Sequence, residues 1–181
     1  LMTLFAQEKA GENRRAAEFE GKNQFEVANV GARLAWLDEQ GIDVQNVICL
    51  GGFSFVLFLD DAELRREVIR TCNSWLADTC DDGGGRLLPV SCGDYEDLDF
   101  AIAEITRMRE RGSRIFLIPG YPVNGRAPSH PDWDRLWSAA VDLGMTPMLH
   151  VGLGKMKFDP GWATDGDPTW LRQFGGSHVH V

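Results

Sequence analysis

The 181-residue chain has no cluster of lysine and arginine, no long apolar run and no Cys-x-x-Cys pair, and each absence removes a class of function. A net charge of −9 with no basic patch to offset it excludes nonspecific binding to nucleic acid or to an anionic membrane. The longest apolar runs, Val47 to Leu50 and Phe53 to Leu59, fall far short of the roughly 20 residues a spanning helix needs, so no membrane span is expected. Cys72 and Cys80 are two helical turns apart on one expected helix, too far to bridge. Together with Cys49 and Cys92 they read as free, mostly buried thiols of a cytoplasmic protein. No basic segment followed by an apolar one marks a signal peptide. Gly51-Gly52 and Gly83-Gly84-Gly85 lack both the Lys-Ser/Thr ending of a P-loop and the Gly-x-Gly-x-x-Gly order, and read as turns. No Gly-x-Ser-x-Gly or Cys-His arrangement announces a nucleophile.

What is present is a composition of 44% apolar and 25% charged residues, enough for one domain with a real core. The spacing of Val27, Val30, Leu34 and Leu37 predicts a helix over 24–40, stopped by Gly41. The β-branched run 44–50 predicts a parallel strand buried on both faces. The stretch 53–59 is ambiguous between a strand and a loop-helix wall. Asp60 or Asp61 caps the next expected helix, with Leu64, Val68, Thr71, Trp75 and Leu76 on its inward face. Strands are then expected at 86–92 and 114–118, a helix at 95–112, and a helix at 133–143 leading to a strand that ends at His150. Such alternation favours an all-parallel α/β sheet or barrel in one domain over 1–181, with a helical extension at 1–23 and an irregular segment at 153–181.

The C-terminal ends of parallel strands open onto the ligand crevice, which makes His150 the leading candidate site residue. A neutral imidazole there binds a metal or moves a proton; the bland alternative is a core histidine satisfied by a carbonyl. His178 and His180 have the spacing with which two histidines on one strand face chelate an ion, although a frayed chain end explains them as simply. His130, before Pro131, reads as helix initiation. Asp132 and Asp134, and likewise Asp94, Glu96, Asp97 and Asp99, read as acidic first turns that complement a helix dipole. Arg126, on the long loop after Pro119-Gly120, is a weak candidate for pairing with a substrate carboxylate.

Several ordered pieces add a family likeness: Arg33-Leu34-Ala35-Trp36-Leu37-Asp38-Glu39-Gln40-Gly41-Ile42-Asp43-Val44-Gln45, Cys72-Asn73-Ser74-Trp75-Leu76-Ala77, Gly85-Arg86-Leu87-Leu88-Pro89-Val90, Leu117-Ile118-Pro119-Gly120-Tyr121-Pro122, Pro131-Asp132-Trp133-Asp134-Arg135-Leu136-Trp137 and His150-Val151-Gly152. Together they resemble the amidohydrolase-related family, and within it the aminocarboxymuconate-semialdehyde decarboxylase-like branch. The resemblance implies a TIM (β/α)8 barrel with a divalent metal, usually zinc, held at its C-terminal mouth by histidines and an aspartate. It also implies hydrolysis or non-oxidative decarboxylation of small, often aromatic, carboxylic acids. By that likeness His150 is the metal ligand ending the fifth barrel strand. The first-strand His-x-His pair, the sixth-strand histidine and the late aspartate have no counterpart.

A barrel of eight units takes about 250 residues, so the chain is expected to be a partial, truncated barrel, weak in zinc binding and inactive alone. The competing expectation is a noncatalytic structural or interaction fragment, with Trp133, Trp162 and Trp170 exposed and open strand edges driving a homo-oligomer.

Overall fold

The computed structural model describes residues 28–56 and 59–150. The expected extension 1–23, the start of the first expected helix, and the segment 153–181 with His178, His180, Trp162 and Trp170 lie outside the described residues.

Helix α1, Val30–Gln40, begins where the Asn29 side chain accepts from the Ala32 N–H at 3.1 Å and ends at Gly41, whose φ of 66° lets its N–H turn back to the last carbonyls. Strand β1, Gln45–Ile48, is shorter than the run 44–50 suggested. Val44 is half exposed, and Leu50 already begins helix α2, Leu50–Val56. Gly51-Gly52 therefore lies inside a helix rather than closing a strand. The ambiguous 53–59 stretch resolves as the remainder of that helix and the link beyond it.

Helix α3, Ala62–Asp81, is capped by Asp61, whose carboxylate accepts from the N–H groups of Glu63 and Leu64. Its inward stripe is Arg65, Ile69, Asn73, Leu76, Ala77 and Cys80. This corrects the expected face, for Leu64 and Trp75 are half exposed and Thr71 is exposed. Two polar residues in the stripe, Arg65 and Asn73, are buried because each meets partners from distant elements.

Strand β2, Leu87–Cys92, and strand β3, Ile115–Pro119, fall where the apolar runs put them, with Pro119 as the last strand residue. Between them helix α4, Leu98–Glu110, buries Leu98, Ile105 and Met108. Its arginines Arg107, Arg109 and Arg111 are half buried and engaged. Arg107 holds Glu104, Arg109 donates to the Leu143 carbonyl, and Arg111 pairs with Asp78 and Asp81 of α3. A 3-10 turn, Pro131–Trp133, leads into helix α5, Asp134–Leu143, and Gly144 at φ 60° turns the chain into strand β4, Thr146–His150.

The four strands are parallel and lie in chain order, β1-β2-β3-β4, in a curled half-barrel sheet. Parallel crossovers are right-handed, so strands that succeed one another without reversal keep their helices on one face. The packing agrees. Val47 and Leu87 meet α1 and α3 through Leu37, Leu76 and Cys80, while Phe116, Ile118 and Leu149 meet α4 and α5 through Ile105, Leu136 and Ala140. The opposite face carries Ile48, Val90, Cys92, Ile115, Leu117 and Met148, covered in part by Phe53 of α2. That alternation, carried through the β3–β4 register, places His150 beside Pro119 on the inner face at the C-terminal end of the sheet.

Candidate functional site

A cavity of about 260 Å³ opens at the C-terminal ends of β2 and β3. Its walls are Cys92 to Glu96 from the end of β2 onward, Leu117 to Pro119 and Tyr121 to Asn124 at and after the end of β3, and Phe53, Val56, Leu59, Asp60 and Arg65 from α2, the link beyond it and the start of α3. In a sheet of parallel strands this is the end at which ligands bind.

Its charged part centres on Arg65. The Nε donates to Asp94 Oδ2 at 2.9 Å, Nη1 to the Leu59 carbonyl at 3.1 Å and Nη2 to Glu96 Oε2 at 2.8 Å. Asp94 is only 4% exposed, while the Glu96 side chain is half exposed. Burial alone lowers the Arg65 pKa, but the hydrogen bond it donates to Asp94 and the charges of Asp94 and Glu96 outweigh burial and raise it. The guanidinium is thus permanently charged and already engaged on each of its three nitrogens. Asp94 and Glu96, expected to lie in the acidic first turn of a helix, belong instead to the turn between β2 and α4. Asp97 is the cap of α4, and Asp99 occupies its first turn.

Tyr95 donates its hydroxyl to the Leu117 carbonyl and stacks on Trp133 at 5.6 Å. Burial raises its pKa well above the usual phenol value. Tyr121 is also raised, by burial first and then by the charges of Cys92 and Glu96. Burial pushes the Cys92 thiol up to about 12. The cavity therefore presents neutral hydroxyls and a neutral thiol at physiological pH, two carboxylates bound to one arginine, and no activated thiolate.

The end of β2 is held by a side chain. Strand β1 stops opposite Val90, and beyond it the Asn73 carboxamide of α3 accepts from the Cys92 N–H at 3.1 Å and donates to the Cys92 carbonyl at 2.8 Å. The same amide nitrogen donates to Glu104 Oε1 at 2.8 Å, and Arg107 neutralises that buried carboxylate at 2.6 Å.

His150 stands next to this cavity without lining it: Pro119, its partner in register, is a wall residue. Its Nδ1 is buried and has no hydrogen-bond partner among the described residues. No group of three or more histidines, cysteines and carboxylates suited to a metal occurs among the described residues. Arg126 sits on a tight turn in which Val123 and Arg126 exchange backbone hydrogen bonds at 3.0 Å, with Asn124 and Gly125 at φ 51° and 72°. Val123 and Asn124 line the cavity, and the Arg126 guanidinium is paired with Asp132 on the exposed side. His130 caps the 3-10 turn, with Nδ1 accepting from the Asp132 N–H at 3.2 Å.

Sequence reasoning missed the Arg65 cluster and the Asn73 clasp. The available signal was Arg65 and Asn73 falling eight residues apart on one face of α3, a buried polar stripe in a helix that otherwise shows an apolar one. No protein-family model and no curated protein matches the chain.

Proposed function

We propose that the chain forms part of a metal-dependent amidohydrolase-related enzyme, a hydrolase or non-oxidative decarboxylase of a small carboxylic acid, with His150 a ligand to a divalent metal, zinc in the first place. The observation that carries this reading is the position of His150 at the C-terminal end of an inner-face strand, with a buried ring nitrogen that lacks a partner among the described residues. A buried imidazole nitrogen left unbonded costs about 1–3 kcal/mol, a cost that ligation removes.

The residues at hand fit the metal at one position only. A catalytic zinc uses three protein ligands and an open site, and no second ligand joins His150 among the described residues. The reading therefore takes the remaining ligands from elsewhere, His178 and His180 being the chain's histidines beyond the described residues. When bound, the metal supplies Lewis acidity at a substrate oxygen or lowers the pKa of a water. The chain's own groups do the rest. Arg126 exchanges Asp132 for the substrate carboxylate at the rim, Tyr121 offers a neutral hydroxyl, and Phe53 and Val56 exclude water from one wall. Arg65 is not the carboxylate anchor, because its single positive charge is already matched by Asp94 and Glu96, and a third carboxylate there would meet net negative charge.

Zinc titration of the whole chain by calorimetry, paired with the imidazole resonances of its four histidines, tests the reading. Weak one-to-one binding that broadens His150 and disappears in His150→Ala is expected. Unchanged zinc binding in that variant sinks it.

A second reading, a noncatalytic interaction module, has one observation in its favour. Strands β1 and β4 each pair on one side only among the described residues, and Asn46 and Thr146 leave the lower inner face exposed. The tryptophan argument for that reading is corrected in part, since Trp133 is 2% exposed and packs between Tyr95 and Trp137. Light scattering separates the two, a monodisperse monomer counting against an interaction module.

A further inference from the structure

We propose that Cys49 and Cys72 form a reversible disulfide, a modification site that ties the corner between β1 and α2 to helix α3 beside the cavity.

Cys49 is the residue between the end of β1 and the start of α2, and Cys72 lies in the third turn of α3. Their sulfurs converge on Gly52. A Cβ built there would lie 3.1 Å from the Cys49 sulfur and closer still to that of Cys72. Only glycine, with no side chain, leaves the two thiols that shared space. Both cysteines pack against the inner-face cluster of Phe53, Val90 and Leu117, and Cys49, at the corner after β1, also touches the cluster of Leu37, Val47 and Leu87. Burial first, and then the charge and hydrogen bond of the Cys49 thiol, push the Cys72 thiol up to about 11. Two other thiols compete: Cys92 shares the inner-face cluster but turns its thiol toward the Gly93 carbonyl at 3.6 Å, and Cys80 is buried with Leu37, Val47 and Leu87, whereas the sulfurs that meet at Gly52 are those of Cys49 and Cys72.

The oxidant is a peroxide. Cys49, half-buried like Cys72, attacks one peroxide oxygen as its thiolate; the O–O bond breaks, the other oxygen leaves with a proton as water or alcohol, and Cys49 becomes a sulfenic acid. The Cys72 sulfur then gives up its proton and displaces the hydroxyl as water, forming the S–S bond. Two thiols and one peroxide yield a disulfide, water, and a second water or an alcohol. A dithiol reverses the step and is itself oxidised to a disulfide. Phe53 and Val56, cavity wall residues on the short helix that follows Cys49, are held by packing and by backbone hydrogen bonds such as that from the Phe53 N–H to the Cys49 carbonyl at 3.1 Å in the reduced chain, and gain a covalent anchor in the oxidised one.

The experiment treats the whole chain with hydrogen peroxide, unfolds it in guanidinium with N-ethylmaleimide present so that every remaining thiol is blocked, digests it and reads the peptides by mass spectrometry. A cross-linked pair containing Cys49 and Cys72, lighter by two hydrogens and released by dithiothreitol, is expected. Either Cys49→Ser or Cys72→Ser abolishes it, Cys80→Ser leaves it in place, and Gly52→Ala, whose methyl occupies the shared space, reduces its yield. Amide exchange across 50–56 slows in the oxidised chain. A Cys72–Cys92 bridge as the main product, or Cys49 and Cys72 both still labelled after oxidation, overturns the proposal.

Discussion

The Asn73 side chain completes the sheet where strand β1 gives out, accepting from the Cys92 N–H at 3.1 Å and returning a hydrogen bond to the Cys92 carbonyl at 2.8 Å. A carboxamide presents the donor and acceptor of a peptide group, so one side chain of α3 stands in for the missing strand and sets the height at which the cavity wall from Gly93 to Glu96 begins.

Replacing Asn73 by Ala strips both Cys92 groups of their partner and removes one of two hydrogen bonds to Glu104 Oε1, which keeps Arg107. A loss of about 2–4 kcal/mol is expected, because buried polar groups left unmatched each cost about 1–3 kcal/mol. Urea unfolding followed by tryptophan fluorescence measures it, and a change within error would show that water replaces the amide.

Arg65→Met leaves Asp94, 4% exposed, without its cation. Breaking one side of a buried pair costs about 3–5 kcal/mol, and the double variant with Asp94→Asn recovers a large part of it. If the double variant is as unstable as the single one, Arg65 acts through the Leu59 carbonyl rather than through the carboxylate.

Asp97 titrates below its usual value, chiefly because it accepts the Phe100 N–H and then because Arg66 pairs with it. A carboxylate depressed in the folded chain adds stability above its unfolded pKa and loses it as pH falls through the folded one. Asp97→Asn is therefore expected to flatten the stability profile below pH of about 4 while keeping the cap. The cap itself is tested by Asp97→Ala, at a cost of about 1 kcal/mol at neutral pH.

The alkaline side is set by thiols. Burial raises Cys72 and Cys80 to about 11 and Cys92 to about 12. A thiol raised in the folded state stabilises fully below its unfolded pKa, and that share disappears as pH climbs from about 9 through the folded values. Midpoints in urea between pH 8 and 11 check the slope, which Cys92→Ala should make shallower. Alkylation of native protein near pH 8 is expected to be slow at these three positions, since roughly one thiol in a thousand is ionised there at a pKa of about 11.

What the sequence disclosed follows from where its information is local. Strands β2 and β3 stand out because Leu87 to Cys92 and Ile115 to Pro119 are apolar on both faces and bounded by glycine or charge. The helix at α2 was hidden, since Gly51-Gly52 carries a turn signal that only the packing against Cys49 and Cys72 overrides. The inward stripe of α3 was misread for a related reason. Arg65 and Asn73 are tolerated inside by Asp94, Glu96, Cys92 and Glu104, all contributed by β2, α4 or the turn between them. Of the candidate residues, His150 lies at a strand end as its place in the sequence suggests, whereas the spacing of Arg65 and Asn73 marks a polar stripe on α3 without revealing the partners that bury it.

The consecutive order of the four strands also bears on how the chain acquires its fold. Each strand finds its partner in the very next strand of the sequence, so every crossover closes a loop of one repeating unit and none waits for a remote segment. Assembly can then advance one strand and one helix at a time in the order of synthesis, each new unit docking on an edge already formed.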